Sequence, residues 1–365
     1  MRHGYAFQQQ LRSEVESIPK DVRDRVERSG ALQVDDLIKM MGQPREDSDD
    51  MYLMSKHRPS RNWTRYSPEN DFSDAFAAVD AGHVAFVITN GDAGAWRVPG
   101  IGISLIAHKI ASSAFKVNCQ MYRPPTWIMC SPPSTLELAS IINGISPPVQ
   151  GCIFEGFETY VMNVMGYLAK DVDGHAMTVS DGDGSLLASL VDAGVLADNP
   201  DVKYVYVSDC RDASTSFDIH ALQQHIEEGA KLSSFVHIEP VLDVDNDDRY
   251  VASADDIACI IDGYTASAEV KHNAFNRDLH RSLGTHIINV ETLKANELQW
   301  QRKKSTRGSN VLQWYERSLA SLTRLVPHAD QLLITDDGED AAQLMHFKNE
   351  QEMKGYEKRF KLKGF

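Results

Sequence analysis

From residue 83 onward the chain alternates short unbroken apolar runs with stretches whose apolar residues recur at helical spacing. HVAFVIT, TWIMCS and GCIFEGF are of the first kind, and LIAHKIASSAF and TLELASIIN are of the second. Strand-type and helix-type segments in strict alternation predict a mainly parallel sheet with helices on both faces, an α/β architecture. KYVYVSD then reads as a β-branched and aromatic strand, and DIHALQQHIEEGAKL as a helix ending near Gly229. SSFVHIEPVL, IACIIDG and HIINVETL read as strands, WQRKKSTRGS as a basic loop, NVLQWYERSLASLTRLV as a helix and QLLIT as a last short strand.

Ahead of this core, residues 1–80 are polar, with LRSEVESI and ALQVDDLIKMM as their periodic pieces, and are expected to form a helical region wrapping it. Residues 81–340 make the expected catalytic domain, and 341–365 a charged tail. DVDNDDR has the acidic spacing of a calcium loop but lacks its glycine and bidentate glutamate, so it reads as an acidic hairpin turn.

Composition narrows the function. A formal charge of −15 argues against a general nucleic-acid surface, which needs a positive excess to displace counterions from phosphates, and leaves room only for local basic patches. Cys119, Cys130, Cys152, Cys210 and Cys259 are scattered without a CxxC pair, which reads as reduced thiols of a cytoplasmic protein and argues against structural zinc. No segment approaches the ~18 apolar residues of a membrane span, so no membrane partner is expected.

Candidate chemistry sits where strands end. VAFVITNGDAGAWR, residues 84 to 97, is a strand breaking into the loop Asn90, Gly91, Asp92, Ala93, Gly94. Such a turn exposes backbone N–H groups at the carboxyl edge of a sheet, where phosphates bind in α/β folds, although plain turn chemistry gives the same pattern. The loop Asp181, Gly182, Asp183, Gly184 leads into an amphipathic helix, and is either a ligand loop or a solvated helix cap. Asp209 and Asp212 stand at the carboxyl end of another strand, positions suited to a metal ion or to ion pairing. Trp96 could stack on a base or sugar, and His272, His280 and His286 lack metal-ligand spacing.

Taken in order, these segments resemble the uridylyltransferases of the UDP-glucose pyrophosphorylase superfamily, which include the UDP-N-acetylhexosamine pyrophosphorylases. TNGDAGAWR is similar to the family's N-G-G-x-G-T-x-M-G loop, SLIAHKI to its S-L-x-x-x-K-I, and WIMCSPPSTLELASII to a strand ending M-x-S before a Thr-led helix. VSDGDGSLLASLVDAGVL and YVYVSDCRDAS resemble the P-G-H-G-D and V-S-N-x-D-N segments; LGTHIINVETLK and VLQWYERSL resemble two later ones. The likeness covers about 83 to 335.

The resemblance implies a Rossmann-like nucleotide-diphospho-sugar transferase fold and transfer of UMP, or another NMP, from a nucleoside triphosphate to a sugar 1-phosphate or similar phosphorylated acceptor. Mg²⁺ is the implied cofactor, with Asp209 or Asp212 as its ligand and the family's own Asp aligned opposite Arg211. Gly91 and Gly94 would approach the triphosphate, and Gly182 and Gly184 the nucleobase. The family's G-P-K is replaced by VPGIGIS, and a second lysine before the last strand is missing, which makes Arg97 the nearest phosphate cation and catalytic candidate. Arg302, Lys303, Lys304 and Arg307 are substitutes for the same role. A glycosyltransferase using a UDP-sugar, and an inactive nucleotide-binding relative, are the alternative readings.

Overall fold

The computed structural model describes residues 5–27, 52–53, 63–67, 71–98, 102–145, 150–213, 215–241, 249–254, 257–262, 277–307 and 310–335. Its centre is an 11-stranded sheet whose main path runs Trp63–Arg65, Gln331–Thr335, Leu232–Val241, Arg277–Asn289, Tyr204–Asp209, Val84–Thr89, Thr126–Cys130 and Gly151–Glu155. Neighbours along this path are parallel except at Arg277–Asn289, which runs antiparallel to both of its partners.

Val84–Thr89 is buried at every position because both of its faces are covered. Val84, Phe86 and Ile88 enter one core with Ile106, Ile110 and Leu222, whereas Ala85 and Val87 enter a second with Leu186, Leu190 and Leu322. A full burial of each such side chain contributes ~1.5–3 kcal/mol, and a slip of one residue would exchange the two sets. The strand therefore has one register, pairing Thr89 with Asp209.

Helices Leu105–Ser112, Thr135–Asn143, Leu186–Asp192 and Ile219–Glu227 cover the sheet. Ser104 and Asp218 cap two of them through side-chain oxygens. Tyr5–Glu16 and Lys20–Glu27 pack Leu11, Val15, Ile18 and Val26 against Tyr160, Met162, Leu168 and Tyr315. Trp63–Arg65, from the same N-terminal region, adds a strand to the sheet edge. ALQVDDLIKMM, the acidic turn as far as Asp248, His272 and the tail lie outside the described residues. Among the described residues no helix is long and apolar enough to cross a membrane.

Two expectations are corrected. The basic loop is the strand Gln301–Arg307, and the expected helix after it is the strand Asn310–Glu316, paired antiparallel to the first. Tyr315 and Gln313 are buried at alternate positions, so a period of two prevails over the helical spacing. HIINVETL is likewise divided, the strand ending at Asn289 and the helix Val290–Ala295 beginning.

Candidate active site

The parallel strands Val84–Thr89, Thr126–Cys130, Gly151–Glu155 and Tyr204–Asp209 deliver their carboxyl ends to one edge of the sheet. Asn90 leaves the first in the left-handed region, φ 53° and ψ 39°, a conformation that asparagine tolerates better than most residues. Its Nδ2 donates to Asp209 Oδ2 at 2.9 Å, tying the first loop to the carboxyl end of Tyr204–Asp209. Beside this bond a small depression is lined by Asn90, Asp92, Met129, Cys130, Ser131, Gly156, Phe157 and Ser180. Asp92 Oδ1 accepts from Ser131 N at 2.8 Å and Ser131 Oγ at 2.7 Å, so it braces the neighbouring strand end.

The glycines of the first loop serve packing. A Cβ on Gly91 would lie 2.8 Å from Met129 O, and one on Gly94 would lie 2.6 Å from Leu138 Cδ2 and 3.0 Å from Ile106 Cβ. The reason for glycine at 94 is thus a helix pressed against the turn. Ala93 is buried in the same core. Arg97 is exposed, and its Nη1 donates to Gly102 O at 2.9 Å across the loop.

Around Asp209 the arrangement is closed. Oδ1 accepts from Arg211 N at 2.9 Å and Arg211 Nε at 3.2 Å, while Oδ2 accepts from Arg211 Nη2 at 2.7 Å as well as from Asn90. The charge of Asp209 raises the guanidinium above its ordinary range. Gly284, at φ 66°, lets the antiparallel strand pass over Asp209, where a Cβ would come within 3.3 Å of the aspartate's own.

Beneath lies Lys109, which sequence reasoning passed over. It falls on the apolar stripe of its helix with Leu105, Ile106 and Ile110, and a cation on such a stripe is the signal that could have found it. It is fully buried; Nζ donates to Ser208 Oγ at 2.7 Å, to Thr215 Oγ1 at 3.2 Å and to Thr215 O. Burial lowers its pKa, and the charge of Asp212 opposes that shift. Asp212, also fully buried, accepts from Thr215 Oγ1 at 2.9 Å.

The second loop clamps another segment of chain. Gly182, at φ 93°, would place a Cβ 2.1 Å from Arg317 O, and Gly184 one 2.6 Å from Arg317 C. Gly184 N donates to Arg317 O, Arg317 N to Asp181 O, and Arg317 Nη2 to Asp181 Oδ2 at 2.6 Å, with the guanidinium 4.4 Å from the Trp300 ring centre. Burial raises the pKa of Asp181 despite Arg317. Asp183 accepts from Arg249 Nη1 at 2.8 Å and Leu319 N at 2.9 Å; burial would raise its pKa, but these partners hold it below the usual range. Arg249 is near enough to oppose the rise in the pKa of Arg211. Of the substitute cations, Lys303 pairs with Glu316 at 3.3 Å.

This geometry does not fit the expected Mg²⁺ site. Mg²⁺ retains several waters and needs carboxylate oxygens that face solvent. A carboxylate offers about four acceptor positions. Asn90 and Arg211 together bring four N–H donors to Asp209, and Asp212 has no exposed surface.

No protein-family model matches the sequence, and no curated protein matches it. Solved structures do. A UDP-N-acetylglucosamine pyrophosphorylase from Trypanosoma brucei, in complex with an inhibitor, superposes with a TM-score of 0.67 at 13% identity, over 95% of this chain and 80% of that one. The chain has the fold of the UDP-sugar pyrophosphorylases. A UDP-glucose pyrophosphorylase variant from Leishmania major, in complex with UDP-glucose, gives 0.62 at 11% identity over 88% of this chain and 75% of that one.

Proposed function

We propose that this chain is a nucleotidyltransferase of the pyrophosphorylase type, moving a nucleoside monophosphate from its triphosphate to a sugar 1-phosphate. The observation that carries the reading is the joining of the two strand-end loops by Asn90 and Asp209 within this fold, with Arg211 and Arg249 beside them. In the proposed reaction the acceptor phosphate attacks the α-phosphorus in line and pyrophosphate leaves, so that positioning and charge stabilisation do most of the work. Asn90, Asp92, Ser131, Gly156, Phe157 and Ser180 line the small depression at this strand edge, beside which the nucleotide is proposed to bind. Arg97, exposed at the end of the first loop, is the cation proposed to meet the leaving pyrophosphate. The five free cysteines accord with a cytoplasmic setting.

The test incubates the protein with UTP, ATP, GTP or CTP and a panel of sugar 1-phosphates, with and without Mg²⁺, and follows pyrophosphate release. Release with one nucleotide and one acceptor is expected, together with its reversal from the nucleotide sugar and pyrophosphate. Transfer from a UDP-sugar without pyrophosphate would make the protein a glycosyltransferase. Nucleotide binding without turnover would make it an inactive relative.

A further inference from the structure

The missing room for a metal ion has a counterpart in the charges that are present. Arg211 bonds Asp209 directly, and Lys109 meets Asp212 through the Thr215 hydroxyl, so a cation already occupies the one carboxylate that reaches the surface of this turn. The arginine is fixed rather than loose, since its backbone N–H, Nε and Nη2 all bond Asp209. Its Nη1 has no protein partner among the described residues, and the side chain is 35% exposed. A guanidinium held by one edge on a carboxylate and open at another is a preorganised phosphate donor.

We propose that Arg211, seated on Asp209, takes the place of a divalent cation and binds a phosphate of the nucleoside triphosphate directly; the inference rests on the nucleotidyltransferase reading. Asn90 fixes the far oxygen of Asp209, and Lys109 holds the 208–215 turn from below through Ser208 and Thr215. These are positioning residues, while Arg211 is the group that touches the ligand. Charge develops on the transferring phosphoryl group beside Nη1, and the proton inventory of the guanidinium is unchanged throughout.

Titration calorimetry of the full chain with each of UTP, ATP, GTP and CTP, in EDTA and again in Mg²⁺, tests this without any substitution. At least one nucleotide should bind with affinities in the two buffers that agree within about threefold. Arg211→Met should weaken that binding roughly 10²–10³-fold in both buffers, the scale of losing one preorganised donor, and Arg211→Lys should restore part of it. Arg211→Asp, which sets a third carboxylate beside Asp209 and Asp212, should abolish binding in EDTA. Its thermal midpoint is recorded alongside, and the EDTA comparison on the parent protein stands even if the variant fails to fold. Binding by the parent in Mg²⁺ but not in EDTA would overturn the inference and leave the nucleotide reading standing. An Arg211→Met protein that binds like the parent would also overturn it. Absence of binding by every nucleotide in both buffers would overturn the nucleotide reading itself.

Discussion

Gly182→Ala separates a loop that holds a ligand from a loop that holds the protein together. At φ 93° and ψ 171° Gly182 occupies a region that is essentially closed to other residues, which costs an alanine ~1–3 kcal/mol. Its Cβ would also lie 2.1 Å from Arg317 O, a backbone atom that accepts the Gly184 N–H and cannot rotate away. Relieving that overlap moves a packed segment by roughly 1 Å or more, comparable to overpacking at ~1–3 kcal/mol. The sum is about 4 kcal/mol without any nucleotide present. With an unfolding entropy of ~2.1 cal/mol/K per residue over 365 residues, the thermal midpoint should fall by about 5 °C. Calorimetry of the free protein measures it directly. An alanine variant that melts like the parent yet binds nucleotide poorly would refute the clamp and restore the nucleobase contact.

Two further outcomes follow from the buried ionisable groups. Burial pushes His225 and His286 down to about 4, so between that value and the unfolded ~6.5 the unfolded chain binds protons that the folded chain does not, and stability falls on acidification. Each should contribute a loss of about 2 kcal/mol between pH 7 and pH 5, read as a lower urea midpoint that His286→Asn partly flattens. Asp181, whose pKa burial raises, acts in the opposite direction, so the decisive comparison is the variant: a His286→Asn protein whose loss between pH 7 and pH 5 equals the parent's would contradict the assignment. Lys109→Met should cost about 1–3 kcal/mol by leaving Ser208 and Thr215 without their buried donor, and adding Asp212→Asn, which removes the charge that Lys109 faces, should recover part of that. Strictly additive losses in urea melts would show that the two groups do not interact.

The sheet was legible because its central strands are continuous apolar runs bounded by turns, and the order of segments indicated parallel pairing. The hairpin of Gln301–Arg307 and Asn310–Glu316 was not, although Gly308-Ser309 between two runs is a hairpin signal; VLQWYERSL also fits a helical stripe, and the pairing with Met162–Asn163 that decides against it is remote in sequence. Phe115–Val117 and Gln120–Tyr122 were hidden for a different reason. Their turn places Asn118 and Cys119 at positive φ, and cysteine is a rare choice there. At the candidate site the sequence pointed to Asn90 and Asp209 but not to the partners that hold them. Arg211 looked like an obstacle between two aspartates, and only the bonds to Asp209 show it as a seated cation. Arg249 and Arg317 come from segments that reach the Asp181–Gly184 loop through tertiary structure alone.

On the proposed reading, this pairing would also let an acidic protein receive a polyanion. With a formal charge of −15, the chain as a whole repels a triphosphate at long range. Close to the sheet edge, however, Arg211 is matched by Asp209, Arg249 by Asp183, Arg317 by Asp181 and Lys303 by Glu316. A row of neutralised pairs attracts weakly at a distance but fixes its N–H groups in direction, and fixed donors stabilise developing charge without first reorganising. On the proposed reading such donors would serve both the bound triphosphate and the transition state. Nucleotide affinity would then rest on Arg211 and exposed Arg97 together; the interaction of Arg97 with phosphate is screened as salt rises, whereas the contribution of Arg211, held in a partly buried pair, should change far less.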